Sequence, residues 1–206
     1  MTRTTLAWRP RRAVLLLVGA IALLTVAERV SAQTVPMDWR HGTTLMSFVG
    51  AESASPDTSP AAGVGVGWEV TRHLSFEGRG TWVRVSDRPS EFDATLSAQV
   101  ALLTPRLAVP FVSAGVGMYR ATFNSASTSI PDFYLKRMSP VPGGRTETFQ
   151  DFLMTVGGGV NVFVSGHLAL RPEANLMLVT TSSDVRPLGV YGLQIVYHFE
   201  THAVGQ

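Results

Sequence analysis

Cysteine is absent from the 206-residue chain, which excludes disulfides, thiolate metal sites and a lipidated N-terminal cysteine. Lysine is nearly absent: Lys136 is the sole example. Charged residues make up 16% of the sequence, whereas water-soluble domains run nearer a quarter charged, so much of the surface is expected to face something other than water. Beyond the N-terminus no segment approaches the roughly 20 apolar residues of a membrane helix.

What is present begins with an export signal. Arg3, Arg9, Arg11 and Arg12 precede the apolar run 13–26, and Val30, Ser31 and Ala32 supply the small residues a signal peptidase needs. Cleavage is expected after Ala32, giving a signal peptide over 1–32 and one mature domain over 33–206. Arg11 and Arg12 lack the rest of a twin-arginine motif, so ordinary secretion is expected. The signal holds five of the 17 basic residues and one of the 15 acidic ones, leaving 12 against 14, a net of −2. The basic pI therefore belongs to the leader and implies no nucleic-acid surface.

The mature region alternates with a period of two, the mark of strands with one wet face. The clearest strand is 190–199, where Tyr191, Leu193, Ile195, Tyr197 and Phe199 share a face. Working forward, 43–50 is the weakest strand, with Met46 and Phe48 expected to point outward, and 51–60 is expected to be a loop. Then Ala62, Val64, Val66 and Trp68 oppose Gly63, Gly65, Gly67 and Glu69; Leu74, Phe76 and Trp82 oppose Ser75, Glu77, Arg79 and Thr81. Phe92, Ala94, Leu96, Ala98 and Val100 oppose Asp93, Thr95, Ser97 and Gln99, and Val112, Ala114, Val116 and Met118 oppose Ser113, Gly115 and Gly117. After a long segment, 123–149, come Phe152, Met154, Val156, Val160 and Val162 against Thr155, Gly157, Gly159 and Asn161. Leu168, Leu170, Leu176 and Leu178 oppose Arg171, Glu173 and Asn175, and 182–187 is expected to be the last loop. The fold class expected is all-β: an eight-stranded antiparallel up-and-down transmembrane β-barrel.

Directly paired residues in a hairpin must point to the same face. Pairing Val70 with Leu74, Thr104 with Ala108, and Val164 with Leu168 leaves three-residue turns at 71–73, 105–107 and 165–167, all at one end. Short periplasmic turns and longer external loops are what outer-membrane barrels have. The same pairing sets Glu77 against Gly67, Arg79 against Gly65, Glu173 against Gly159 and Arg171 against Asn161. Large against small suits a narrow, filled lumen. Glu69, Glu77, Arg79, Asp93, Arg171 and Glu173 are expected to form a paired interior whose role is structural filling. Outward aromatics form two levels: Trp82, Phe92, Phe152 and Tyr191 toward the external end, and Trp68, Phe76, Tyr197 and Phe199 toward the periplasm.

The glycine-rich strands 62–69, 110–117 and 156–163, the following Leu168-Ala-Leu-Arg171 and the closing strand together resemble the small outer-membrane β-barrel domain family of the OmpA and OmpX type, over essentially the whole mature chain. The resemblance implies eight strands and a final strand recognised by the barrel-insertion machinery through terminal aromatics, here Tyr197 and Phe199. Two features depart from the pattern. Residues 200–206 follow Phe199, with the strand glycine at Gly192 rather than two residues later, and Pro172 interrupts the seventh strand, where a bulge or register change would move Arg171 and Glu173.

All five histidines, His41, His73, His167, His198 and His202, map to the periplasmic end without the spacing of a metal motif. Some barrels of this architecture act on lipopolysaccharide acyl chains through a histidine and a serine near the outer leaflet, where this chain has no histidine. No catalytic residue, cofactor or metal is therefore expected. Arg84, Arg88, Arg120, Lys136, Arg137, Arg145 and Arg186 gather toward the external end, and Arg84 and Arg120 are candidate contacts for lipid phosphates, including those of lipopolysaccharide. The segment 123–149 is a candidate site for an unidentified ligand. The function expected is a non-enzymatic structural or surface-interaction role in the cell outer membrane. Two alternatives stand beside it: a soluble periplasmic carrier of lipocalin type with inverted faces, and a lipid A-modifying enzyme.

Overall fold

The computed structural model describes residues 41–54, 57–84, 91–103, 107–124, 134, 137, 146–181 and 184–200; the expected export signal lies outside them. The strands are β1 (Gly42–Ala54), β2 (Asp57–Glu69), β3 (Leu74–Val83), β4 (Glu91–Ala101), β5 (Ala108–Asn124), β6 (Thr146–Phe163), β7 (Leu168–Thr180) and β8 (Val185–His198). Each is antiparallel to the next, and β8 pairs with β1, closing an up-and-down barrel that leaves no sheet edge in the membrane.

The hairpin registers are those that face parity requires. Val70 N–H donates to the Leu74 carbonyl, Leu102 N–H to Pro110, and Val164 N–H to Leu168, each at 2.9 Å. Two turns share a local cause. Thr71 Oγ1 accepts hydrogen bonds from the His73 and Leu74 amides at 3.2 and 2.9 Å, and Ser165 Oγ accepts from those of His167 and Leu168 at 3.4 and 3.1 Å. A hydroxyl at the first turn position thus satisfies amides that no strand can reach.

The outward face carries the apolar side chains of every strand: Leu45, Val49, Val64, Val66 and Trp68 on one side, Leu96, Val116, Met154, Leu176 and Ile195 around the rest. Trp68 is 65% exposed and Val49 63%, values tolerable only if hydrocarbon replaces water around them.

Four expectations fail, each for a physical reason. Met46 and Phe48 point inward, 2% and 1% exposed, and Leu45 and Val49 take the outer face. The two faces of β1 are similarly apolar, so polarity could not choose between them. The partners do: Met46 lies opposite Gly65 and Phe48 opposite Gly63, where large side chains have room. The expected loop 51–60 is mostly strand, because β1 and β2 stay paired as far as Ala54 and Asp57. Likewise β8 begins at Val185 within the expected loop 182–187, and β5 and β6 run to Asn124 and from Thr146, trimming the segment 123–149 at both ends. Polar residues near the external end are compatible with strands that continue above the bilayer, which hydropathy alone reads as loop. Val160, though on the outer face by parity, is nearly buried beside its ladder partner Pro110.

Pro172 produces neither a bulge nor a register change. The β6–β7 ladder runs from Phe152–Thr180 to Gly159–Glu173 and resumes in the same register at Val162–Leu170. The missing N–H falls on the β6 side, while pairing to Leu193 on β8 is unbroken. Arg171 and Glu173 consequently keep their inward orientation.

Candidate functional site

The lumen is organised in layers. At mid-height, two arginines cross from one wall to the other. Arg79 on β3 pairs with Glu173 on β7, and Arg171 on β7 pairs with Glu77 on β3, so the two ion pairs reciprocate. Arg171 Nε also donates to Asn161 Oδ1, and Asn175 Nδ2 donates to Glu173 Oε1 at 3.1 Å. Each guanidinium lies over a phenyl ring: Arg79 over Phe48 at 5.1 Å and Arg171 over Phe111 at 5.2 Å. Charge, hydrogen bonds and a ring face together replace the water each cation has lost.

Glycines on neighbouring strands make the layer possible. A Cβ at Gly65 would meet the Gly78 carbonyl at 2.6 Å and Met46 Cγ at 3.0 Å; at Gly67 it would meet Thr44 Oγ1 at 2.5 Å and Glu77 Cγ at 3.2 Å. Strands this glycine-rich set a bore into which Met46, Glu77 and Arg79 just fit.

The other two residues expected in the network flank this layer, and Asp93 is within electrostatic reach of Arg79. Glu69 is at the periplasmic end, its Oε1 3.5 Å from His198 Nδ1. Asp93 is buried above the ion-pair layer, directly across the β3–β4 ladder from Thr81. Around it is a group that sequence reading missed: Glu52 and Glu91 are buried, and Tyr119 donates its hydroxyl to Glu91. Parity could have found them, since Glu91 and Asp93 share a face, Tyr119 continues the Ser113–Gly117 face, and Glu52 continues that of Met46 and Phe48.

Above these groups the lumen is closed by apolar packing. Tyr119, Phe123, Phe149, Leu153, Met177, Val179, Leu188 and Val190 form one core with Phe48. Tyr134, from the β5–β6 connection, is seated in it with its ring 4.7 Å from Phe123 and 5.0 Å from Phe149. Burial holds the Tyr134 hydroxyl above the ordinary phenol range, reinforced by the charge of Asp151. Arg137 bonds both Asp151 oxygens, at 2.8 and 3.0 Å, and covers the Phe149 ring at 4.8 Å. Arg137 and Arg186 lie toward the external end, where they were expected, but turned to the barrel's interior: the first is tied into the mouth by Asp151, and the second lies on the inward face of β8 between Val185 and Pro187. Arg88, Lys136 and Arg145 lie outside the described residues.

Below the ion pairs, Met46, Val109, Phe163, Ala169 and Val196 form a second apolar cluster. Beside it a cavity of about 50 Å³ opens among Thr44, Glu69, His73, Gln99, Asn161 and Arg171, room for a few waters. The histidines here have separate partners. His73 Nδ1 is 3.1 Å from the Ala101 carbonyl, His167 Nδ1 is 2.9 Å from the His198 carbonyl, and the His198 ring packs 5.2 Å from Phe163. Among the described residues no group of three or more His, Asp or Glu is placed to hold a metal.

On the outside, Tyr197 and Phe199 are exposed at the periplasmic end and meet edge to face at 5.3 Å; His167 stacks on Tyr197. Phe199 lies just past β8, its amide donating to the Thr43 carbonyl at 3.1 Å. At the opposite end Trp82 and Phe92 face each other across β3 and β4 with ring centres 5.2 Å apart. Arg120 is exposed opposite Phe92, and Arg84 is exposed one outward step beyond Trp82.

No protein-family model matches the chain, and no curated protein matches it. Among solved structures it is similar to Neisserial surface protein A, with a TM-score of 0.56 at 14% identity over 77% of this chain and 97% of that one. It is also similar to the N-terminal β-barrel domain of Pseudomonas aeruginosa OprF, with a TM-score of 0.55 at 12% identity over 78% of this chain and 100% of that one. The chain thus has the fold of the small eight-stranded outer-membrane barrels, and with its apolar belt it is a protein of the outer membrane.

Proposed function

We propose that this protein is a non-enzymatic component of the outer membrane whose interior is structural filling and whose working surfaces are its outer wall and external hairpins. The observation that carries the reading is the filled lumen: among the described residues, reciprocal Arg–Glu pairs occupy its mid-height and an aromatic core its mouth. A water-soluble carrier of apolar ligands would need the opposite arrangement, with the charged residues outside and the belt of Val, Leu and Trp inside. Lipid acyl chemistry through a histidine-activated serine needs the base near the outer leaflet, whereas His73, His167 and His198 lie at the other end.

The test is electrical and chemical together. Mature barrel refolded into planar phosphatidylcholine bilayers should give no stable conductance, and diphosphoryl lipid A incubated with it should keep its mass. Steady channels would defeat the filled-lumen reading, and deacylated lipid would defeat the non-enzymatic one.

Two further parts of the proposal concern biogenesis. Residues 1–32 serve as the export signal, so N-terminal sequencing of the membrane-extracted protein should begin at Gln33. Tyr197 and Phe199 serve as the insertion signal read by the assembly machinery, supported by their exposure side by side at the end of the closing strand.

A further inference from the structure

The outer wall is not electrically uniform. Among the described residues, the outward-facing cations at the external end are Arg84 and Arg120, and they flank the same aromatic pair, Trp82 with Phe92. Neither guanidinium has a carboxylate partner among the described residues. The arginines farther round this end point inward, Arg137 to Asp151 and Arg186 on the lumen face of β8. Arg84 and Arg120 are separated by two strand spacings, with β4 between them, and one outward step, about 12 Å between backbones from the strand spacing and rise. Long side chains can close most of that distance, so both can reach a single headgroup.

Beneath the aromatic pair the wall is recessed. Gly80 lies between Val64 on β2 and Ala94 on β4, and Gly78 between Val66 and Leu96. A Cβ at Gly78 would meet nothing within 4 Å. Val64, Val66 and Leu96 stand out on either side, Trp82 stands above, and Phe76 below. Cations at headgroup height, indole and phenyl rings at the interface and an apolar recess below them match the order of chemistry along one lipid molecule.

We propose that the β3–β5 face binds a phosphorylated glycolipid of the outer leaflet, its phosphates held by Arg84 and Arg120 and an acyl chain seated over Gly78 between Val66 and Leu96. This rests on the reading of the outer wall as a working surface. The site is one-sided, so it orients the barrel toward a particular lipid neighbour instead of coating it evenly.

The test compares lipid retention by native mass spectrometry of refolded, detergent-solubilised mature barrel. The probes are diphosphoryl lipid A, the same glycolipid without phosphates, and phosphatidylcholine. Wild type should retain the diphosphoryl form preferentially. R84Q/R120Q should bind it about tenfold more weakly, as expected for lost charge-assisted contacts. G78L, whose Cβ enters open space and whose side chain fills the recess between Val66 and Leu96, should weaken both glycolipids. R72Q, in a periplasmic turn, should behave as wild type. Unheated gel mobility checks that each variant is folded before binding is scored. Equal retention of the phosphorylated and stripped lipids by wild type, or unchanged retention by R84Q/R120Q or by G78L, overturns the proposal. Conductance or a shortened lipid mass would instead count against the sealed, non-enzymatic reading, and neither enters this comparison.

Discussion

At the scale of single residues, each lumen arginine is held by a carboxylate from the opposite wall, and the energetic consequence can be measured. Replacing Glu77 by Leu leaves the Arg171 guanidinium buried with Asn161 but without its carboxylate. Such a broken pair costs about 3–5 kcal/mol, whereas replacing both partners with apolar residues of similar volume is often near neutral. E77L should therefore lower the denaturation midpoint of the refolded barrel markedly, and E77L/R171M should recover most of it. If the double variant is as unstable as the single, repulsion or lost packing, not the orphaned charge, explains the effect. Glu77 opposite Gly67 and Arg79 opposite Gly65 were legible because a short turn fixes parity and parity fixes partners. Which acid each arginine would choose was not, because β3 and β7 meet across the lumen and no ladder pairs them. Phe48 shows the complementary blindness. Its ring lies over Gly50 and Gly192, a fit that depends on the closing strand, so the composition of β1 alone could not point it inward.

At the scale of elements, strand identity and outer faces were readable wherever period-two alternation crossed the bilayer, and readability faded where strands rise beyond it. There both faces become polar and turn-forming residues are common, so β1, β2, β5, β6 and β8 are longer than hydropathy suggests. The β5–β6 connection was expected as a site for a ligand, yet Tyr134 and Arg137 tie it to the barrel's own mouth. Substituting both with Ala removes the ring from between Phe123 and Phe149 and the two bonds to Asp151. Limited proteolysis of Y134A/R137A should cut within 125–145 several-fold faster than wild type, while the barrel core keeps its unheated gel mobility. Unchanged cleavage would mean that these two contacts do not govern the connection.

At the scale of the whole molecule, the apolar wall and the aromatic levels define where the barrel sits, and its periplasmic end is where assembly is expected to begin. Y197A/F199A should slow barrel insertion in cells, seen as accumulation of unfolded, protease-sensitive chain, while the same protein refolds in detergent micelles at nearly the wild-type yield. Equal loss in both settings would assign the aromatics to stability instead of recognition. The reciprocal ion pairs add a constraint of a different kind. Each joins residues 94 positions apart, so neither can form while hairpins assemble one after another; both await the meeting of distant walls. A sheet that closed with β3 or β7 one residue out of register would turn that strand's arginine and carboxylate together toward hydrocarbon and leave their partners in the lumen unpaired. The layer that fills the lumen thus also acts as a proofreading device: it rewards correct closure at the last step of assembly and leaves a misaligned barrel with charges it cannot hide.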